Sequence, residues 1–155
     1  MRPDIINAGF TLGGIPPEAA AFATFLHPYA RNYLSIQDQL QYSYLPLIDG
    51  FGNFGSGGAG YEWRLLSNSL VFKQDSSCVA WFESALKPYT HFIPVNNNLD
   101  DLIEKYYWAF NNDAKCQEIV REANQFAQNN LMTEDMYTYL LILFREYAKH
   151  QTFSK

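Results

Sequence analysis

The sequence predicts an α/β fold built on a short, mainly parallel sheet, and three observations carry that reading. Three apolar runs of strand length, Ser43–Ile48, Ser69–Lys73 and His91–Ile93, are separated by loops and short helical patterns. The final third holds apolar residues at helical spacing and shows no strand pattern. Strand–helix alternation followed by helices points to packed α and β layers whose crossovers leave the strands parallel.

At 155 residues the chain suits a single domain with a sizeable core. Residues 1–34 read as a leading segment and helix, 35–95 as the α/β core and 96–155 as C-terminal helices. Ile5 to Gly14 mixes apolar residues with glycines before Ile15-Pro16-Pro17, which predicts extended chain. Pro17 and Glu18 then open a helix pattern through Phe22, in the first turn where each is favoured. That pattern fades at His27-Pro28. Ser35 carries the side-chain oxygen that caps a helix start, ahead of a short helix over Ile36–Leu40 and the first strand. A glycine-rich loop follows Asp49-Gly50, and a new helix opens at Tyr61-Glu62-Trp63-Arg64 before the second strand. After the third strand, Asn98 caps a helix bearing Leu99, Leu102, Ile103 and Tyr106. Asn112-Asp113 breaks it and starts another, with Cys116, Ile119, Val120, Ala123 and Phe126 on one face. Thr133 opens the last, rich in Tyr137, Leu140, Leu141, Leu143, Phe144 and Tyr147.

Composition excludes several classes. A hydrophobic share of 48% and an aromatic share of 17% argue against disorder and for a ring-packed core. A net charge of -5 argues against broad nucleic-acid binding and against a polybasic membrane anchor, while allowing a local cationic pocket. No apolar run reaches the roughly 20 residues that span a bilayer. Met1-Arg2-Pro3-Asp4 lacks a signal-peptide layout, and Gln151–Lys155 is not an endoplasmic-reticulum retention signal. Cys78 and Cys116 form neither a redox nor a zinc pattern, so two free thiols in a reducing compartment are expected.

The stretch from Tyr44 to Val95 carries the chemistry. A short apolar strand that runs into glycines and then into a helix with an early arginine suggests a phosphate-binding turn. Glycines let backbone N–H groups approach an anion, and the Arg64 guanidinium adds a permanent, forked charge. A nucleotide or nucleotide sugar is the ligand class this implies. Gly60, Tyr61, Glu62, Arg64 and Ser69 are the phosphate-side candidates. Lys73, Gln74 and Asp75, at the C-terminal end of the second strand, are the nucleoside-side candidates, with a solvated strand end as the plainer reading. Gly50-Phe51-Gly52-Asn53-Phe54-Gly55 is also a literal G-x-G-x-x-G, with Asp75 about 20 residues beyond it, the layout of a dinucleotide fold. An NAD-dependent oxidoreductase domain is therefore an alternative. Against it, the glycines continue to Gly60 where the helix should already be under way. His91 has the pKa range of a general base, but its place at a strand start favours a structural role. No convergent ligand set suggests a metal.

The same residues resemble glycosyltransferase family 90, which includes protein O-glucosyltransferases, fungal capsule-associated transferases and bacterial lipopolysaccharide-modifying members. The likeness rests on Tyr42–Leu45, Ile48–Gly50, Gly60–Leu65, Ser67–Asp75, Leu86–Val95, Asn98–Leu102 and Tyr137–Leu141, in the family's order from about Asn7 to Lys149. It implies a three-layer α/β/α Rossmann-like unit, the donor-binding C-terminal half of a GT-B glycosyltransferase. It also implies inverting sugar transfer from a UDP-sugar to a protein or glycan acceptor, without a metal ion or other cofactor. Arg64 would contact the donor diphosphate. The acceptor and the catalytic aspartate would belong to an N-terminal half missing here, so no catalytic residue is assigned. The expected outcome is a fragment that self-associates, or is poorly soluble without a partner, through apolar surface beside Ile5–Ile15 and the Tyr106–Phe110 helix. Two positions depart from the family pattern. Glu62 stands where a small hydroxyl residue is usual, and Ala80 where a glutamate grips the ribose, so a degenerate, non-catalytic module is a further alternative.

Overall fold

The computed structural model describes residues 5, 6, 24, 25, 27–49, 60–77 and 79–152. It divides into two compact units, residues 1–39 and 40–155. In the first, a 3-10 turn spans His27–Tyr29 and a short helix, α1, spans Ile36–Gln39. Ser35 caps α1 as expected: Asp38 donates its backbone N–H to Ser35 Oγ at 3.1 Å, and Ser35 Oγ donates to the Asp38 carboxylate at 2.7 Å. Apart from Ile5 and Ile6, the extended leading segment and the helix expected at Pro17–Phe22 lie outside the described residues, as does the glycine-rich loop over residues 50–59.

The second unit holds the sheet. Strands β1 (Tyr44–Leu47), β2 (Leu70–Gln74) and β3 (Ile93–Val95) lie in the order β1-β2-β3, all parallel, with Tyr44 beside Leu70 and Phe72 beside Ile93. Helix α2 (Tyr61–Leu65) falls between β1 and β2, and α3 (Leu102–Asn111), α4 (Asp113–Asn130) and α5 (Thr133–His150) follow β3. Successive residues of β2 serve different apolar clusters. Val71 joins Leu47, Tyr61, Leu65, Phe82 and Phe92, whereas Leu70 and Phe72 join Ile93, Val95, Ala109, Cys116 and Ile119. Since strand side chains alternate, both faces of β2 are covered, which is why the run reads as continuously apolar.

Helix α4 ties the clusters together. Cys116 and Ile119 enter one, Ala123 and Ala127 the other. Their three- and four-residue spacing puts them on one helix face, and the alanines let backbones approach closely. Asn124 on the same helix donates its Nδ2 hydrogens to the carbonyls of Leu65 (3.1 Å) and Ser67 (2.7 Å), satisfying groups that the end of α2 leaves open.

Two element boundaries differ from expectation, for one physical reason. The third strand begins at Ile93, not His91, because residues 87–91 close a turn. Lys87 O accepts the N–H groups of Thr90 (3.2 Å) and His91 (2.9 Å), and Tyr89 takes a positive φ of 57°. The helix expected from Asn98–Leu99 starts at Leu102. Asn98 and Asp100 bond each other, Asp101 Oδ1 accepts Asn96 N–H at 2.8 Å, and Leu99 sits at φ 61°, outside helical space. In both places local side-chain and turn bonds compete with the regular element.

Candidate functional site

The carboxyl ends of the three strands form an edge that side chains stitch together. Gln74, last in β2, accepts the N–H of Asp49 on its Oε1 (2.9 Å) and donates Nε2 to Asn97 O (2.6 Å) and Asn97 Oδ1 (3.1 Å). It thereby links the segments leaving β1 and β3. Asp75 is exposed, while its backbone N–H donates to Val95 O at 2.7 Å. Asp49 Oδ1 is buried with no hydrogen-bond partner among the described residues, which leaves an acceptor open at this edge.

Lys73 is used differently from its neighbours. It is 4% exposed, and its ammonium lies 2.5 Å from Glu83 Oε1 and donates to Gln74 O at 3.1 Å. The other Glu83 oxygen accepts the Ala80 N–H at 2.9 Å. A charge in an apolar strand is tolerable only when paired, and here the pair also pins the 80–85 turn against β2. Nearby, Tyr61 is fully buried, its ring 5.3 Å from Phe82. Burial, with the Glu83 carboxylate close by, pushes its phenol far above the ordinary value, so it stays neutral.

Arg64 folds back along α2. Its Nη1 donates to Gly60 O at 2.9 Å and its guanidinium stacks 4.3 Å from the Trp63 ring centroid. Helical side chains lean toward the N-terminus, so an arginine in the fourth position reaches the helix start. Burial lowers its pKa from the ordinary value, yet guanidinium stays charged. Glu62 is half-buried in the first turn of this five-residue helix. So short a helix has a weak dipole, and any attraction for an anion here depends on the Arg64 charge.

The structure therefore brings Gly60, Trp63 and Arg64 together, and leaves Gln74 and Asp75 at the strand edge while Lys73 turns to Glu83. Ser69 lies at the opposite end of β2, at about 3.3 Å per residue some 17 Å from Gln74. Its hydroxyl donates to Tyr42 O at 2.6 Å, and its N–H donates to Ser67 Oγ at 3.1 Å. Sequence reading missed Asp49, Glu83 and Asn97 as partners at the strand ends. One signal was available for Glu83: a lysine inside a buried apolar run requires a carboxylate within reach.

His91 has a structural part. Its Nδ1 accepts the Lys87 N–H at 2.9 Å, and its ring lies 5.2 Å from Phe126. Burial is the main influence and lowers its pKa below the ordinary value; Glu122 opposes this and Lys87 adds to it. The folded state thus binds a proton less readily than the unfolded chain. Stability is full above the unfolded value near 6.5 and falls as pH drops from there to the folded pKa. Proton NMR of the imidazole should give a midpoint below 6.5, and His91→Gln should flatten that part of the stability–pH curve.

Comparison with known proteins finds a family profile, described as Glycosyl transferase family 90, that matches residues 24–155. Human "Protein O-glucosyltransferase 3" is 37% identical over 92 residues, covering 59% of this chain and 18% of that protein. The Danio rerio "Protein O-glucosyltransferase 2" is 34% identical over 122 residues, or 77% of this chain and 23% of the relative. Human "Protein O-glucosyltransferase 1" is 31% identical over 129 residues, or 82% and 31%. The chain spans less than a third of the length of each of these relatives.

Proposed function

The chain belongs to glycosyltransferase family 90, and from that premise we propose that it is the donor-side part of a sugar transferase, holding a UDP-sugar near the carboxyl ends of its strands. One observation carries the reading most: Arg64 places a permanent charge at Gly60, beside an aromatic ring, where a diphosphate would meet the start of α2. Gln74 and Asp75 would face the nucleoside, and the open Asp49 acceptor would take a ribose hydroxyl. The proposal includes a single domain over residues 1–155, of the three-layer Rossmann-like kind that forms the donor half of GT-B enzymes. The names of the relatives favour glucose as the sugar and a protein as the acceptor, with a glycan such as lipopolysaccharide as the other candidate. If the chain is of the bacterial lipopolysaccharide-modifying kind, a cytoplasmic setting is proposed, and the scarcity of cysteine goes with such a reducing compartment.

The chemistry proposed is direct displacement. A carboxylate takes the proton of the acceptor hydroxyl, its oxygen bonds to the anomeric carbon, and the bond to the diphosphate breaks with inversion. Arg64 stabilises the charge that collects on the departing phosphate. The base would belong to a part of the family's architecture that this chain does not cover. The purified chain is therefore expected to release no UDP from UDP-glucose in the presence of an acceptor, and measurable turnover would contradict the assignment.

A second reading, a non-catalytic module, is favoured by one observation. Ala80 replaces the family's ribose-binding glutamate, and Glu83 is committed to Lys73 instead of facing the edge. Calorimetric titration separates the readings: UDP binding without NAD binding supports the transferase, NAD binding alone a dinucleotide domain, and neither the module.

A further inference from the structure

We propose that Lys73 and Glu83 are positioning residues for the strand-end site: together they hold the peptide plane between Gln74 and Asp75, and with it the angle at which those two side chains meet a ligand. The role rests on the reading that a UDP-sugar lies at the carboxyl ends of the strands. It gives the pair a part in binding although neither side chain faces that edge.

The geometry runs through one peptide group. Gln74 is the last residue of β2, where the regular pairing of the strand ends. A peptide group is planar, so its carbonyl and its N–H turn together about the bonds on either side. The N–H of the 74–75 group belongs to Asp75 and donates to Val95 O at 2.7 Å. The carbonyl belongs to Gln74 and accepts a hydrogen from Lys73 Nζ at 3.1 Å. One contact fixes the plane from β3, the other from the interior. The Gln74 and Asp75 side chains leave the backbone on either side of this group. Gln74 then spans from the Asp49 N–H (2.9 Å) to Asn97 O (2.6 Å).

Glu83 makes the inner contact possible. A lysine has a long stem whose charged head ordinarily seeks water. The Lys73 head is turned inward instead, 2.5 Å from Glu83 Oε1 and 5.9 Å from the centre of the Phe92 ring. Glu83 is held in turn by the Ala80 N–H at 2.9 Å. Without the carboxylate, a buried ammonium is destabilised and its hydrogen bond to Gln74 O goes with it. The pair therefore has two consequences that separate. Stability can be supplied by an apolar pair. The orientation of the 74–75 peptide cannot, because methionine has no hydrogen to donate.

The double variant Lys73→Met with Glu83→Leu divides them, read by calorimetric titration of UDP and by amide hydrogen exchange of the full chain. It should denature near the wild-type midpoint yet bind UDP roughly threefold to tenfold more weakly, the range that ordering by one hydrogen bond carries. Its Asp75 amide should exchange roughly tenfold faster, while Phe72 in the middle of β2 keeps its protection. Arg64→Ala should weaken UDP binding and leave Asp75 exchange unchanged. Lys73→Met alone, with Glu83 still on the Ala80 N–H, reports the same two signals if the double variant does not fold. A double variant that binds UDP like wild type, while Arg64→Ala binds it weakly, overturns the positioning role and leaves the donor reading standing. Unchanged Asp75 exchange overturns the role too. A wild type that binds no UDP overturns the donor reading and this role together, whatever the exchange shows.

Discussion

Replacing Glu83 with alanine is expected to lower folding stability by about 3–5 kcal/mol, because it strands the buried Lys73 ammonium without its partner. The Lys73 side chain is 4% exposed and that of Glu83 16%, so water cannot readily take the place of the carboxylate. The same change frees the Ala80 N–H, which Glu83 otherwise accepts, and loosens the 80–85 turn. Equilibrium denaturation should show a large fall in the midpoint with little change in slope. Replacing both partners, as Lys73→Met with Glu83→Leu, should recover most of the loss, since an apolar pair of similar volume removes the stranded charge. A loss below about 1 kcal/mol for Glu83→Ala would place the pair in the class of solvent-screened surface bridges.

Arg64→Ala is expected to weaken UDP binding roughly tenfold to a hundredfold, the equivalent of about 1.5–3 kcal/mol for a charge-assisted contact. A modest loss of stability, about 0.5–1 kcal/mol, is expected as well, because the guanidinium stacks on Trp63 and bonds Gly60 O. Glu62→Ser should act in the opposite direction on UDP, removing a like charge in the first turn of α2. Calorimetric titration of UDP into wild type and both variants separates effects on the site from effects on the fold. If neither change moves the affinity, the phosphate site is not at α2 and the non-catalytic reading gains.

Much of the architecture was legible along the chain. β1 and β2 fall within a residue of their expected bounds because each is a continuous apolar run; β2 is covered on both faces, and β1 buries Leu45 and Leu47 on one. The break at Asn112-Asp113 and the buried face of α4 followed from spacing alone. The starts of β3 and α3 were not legible. There the outcome rests on which of several polar side chains captures a nearby backbone group, and Asn96, Asn98, Asp100 and Asp101 offer many such pairings.

The candidate site divides in the same way. Residue types and order alone determined the family, and they suggested the phosphate-side role proposed for Gly60 and Arg64 and the two departures at Glu62 and Ala80. Only the tertiary structure decided that Lys73 faces inward to Glu83, that Gln74 links the segments leaving β1 and β3, and that the Ser69 hydroxyl donates to Tyr42 O. Periodicity and caps are properties of neighbours along the chain, so a sequence displays them directly. Which polar atom a buried charge meets is fixed when separate segments pack and desolvate it, and that choice belongs to the fold as a whole.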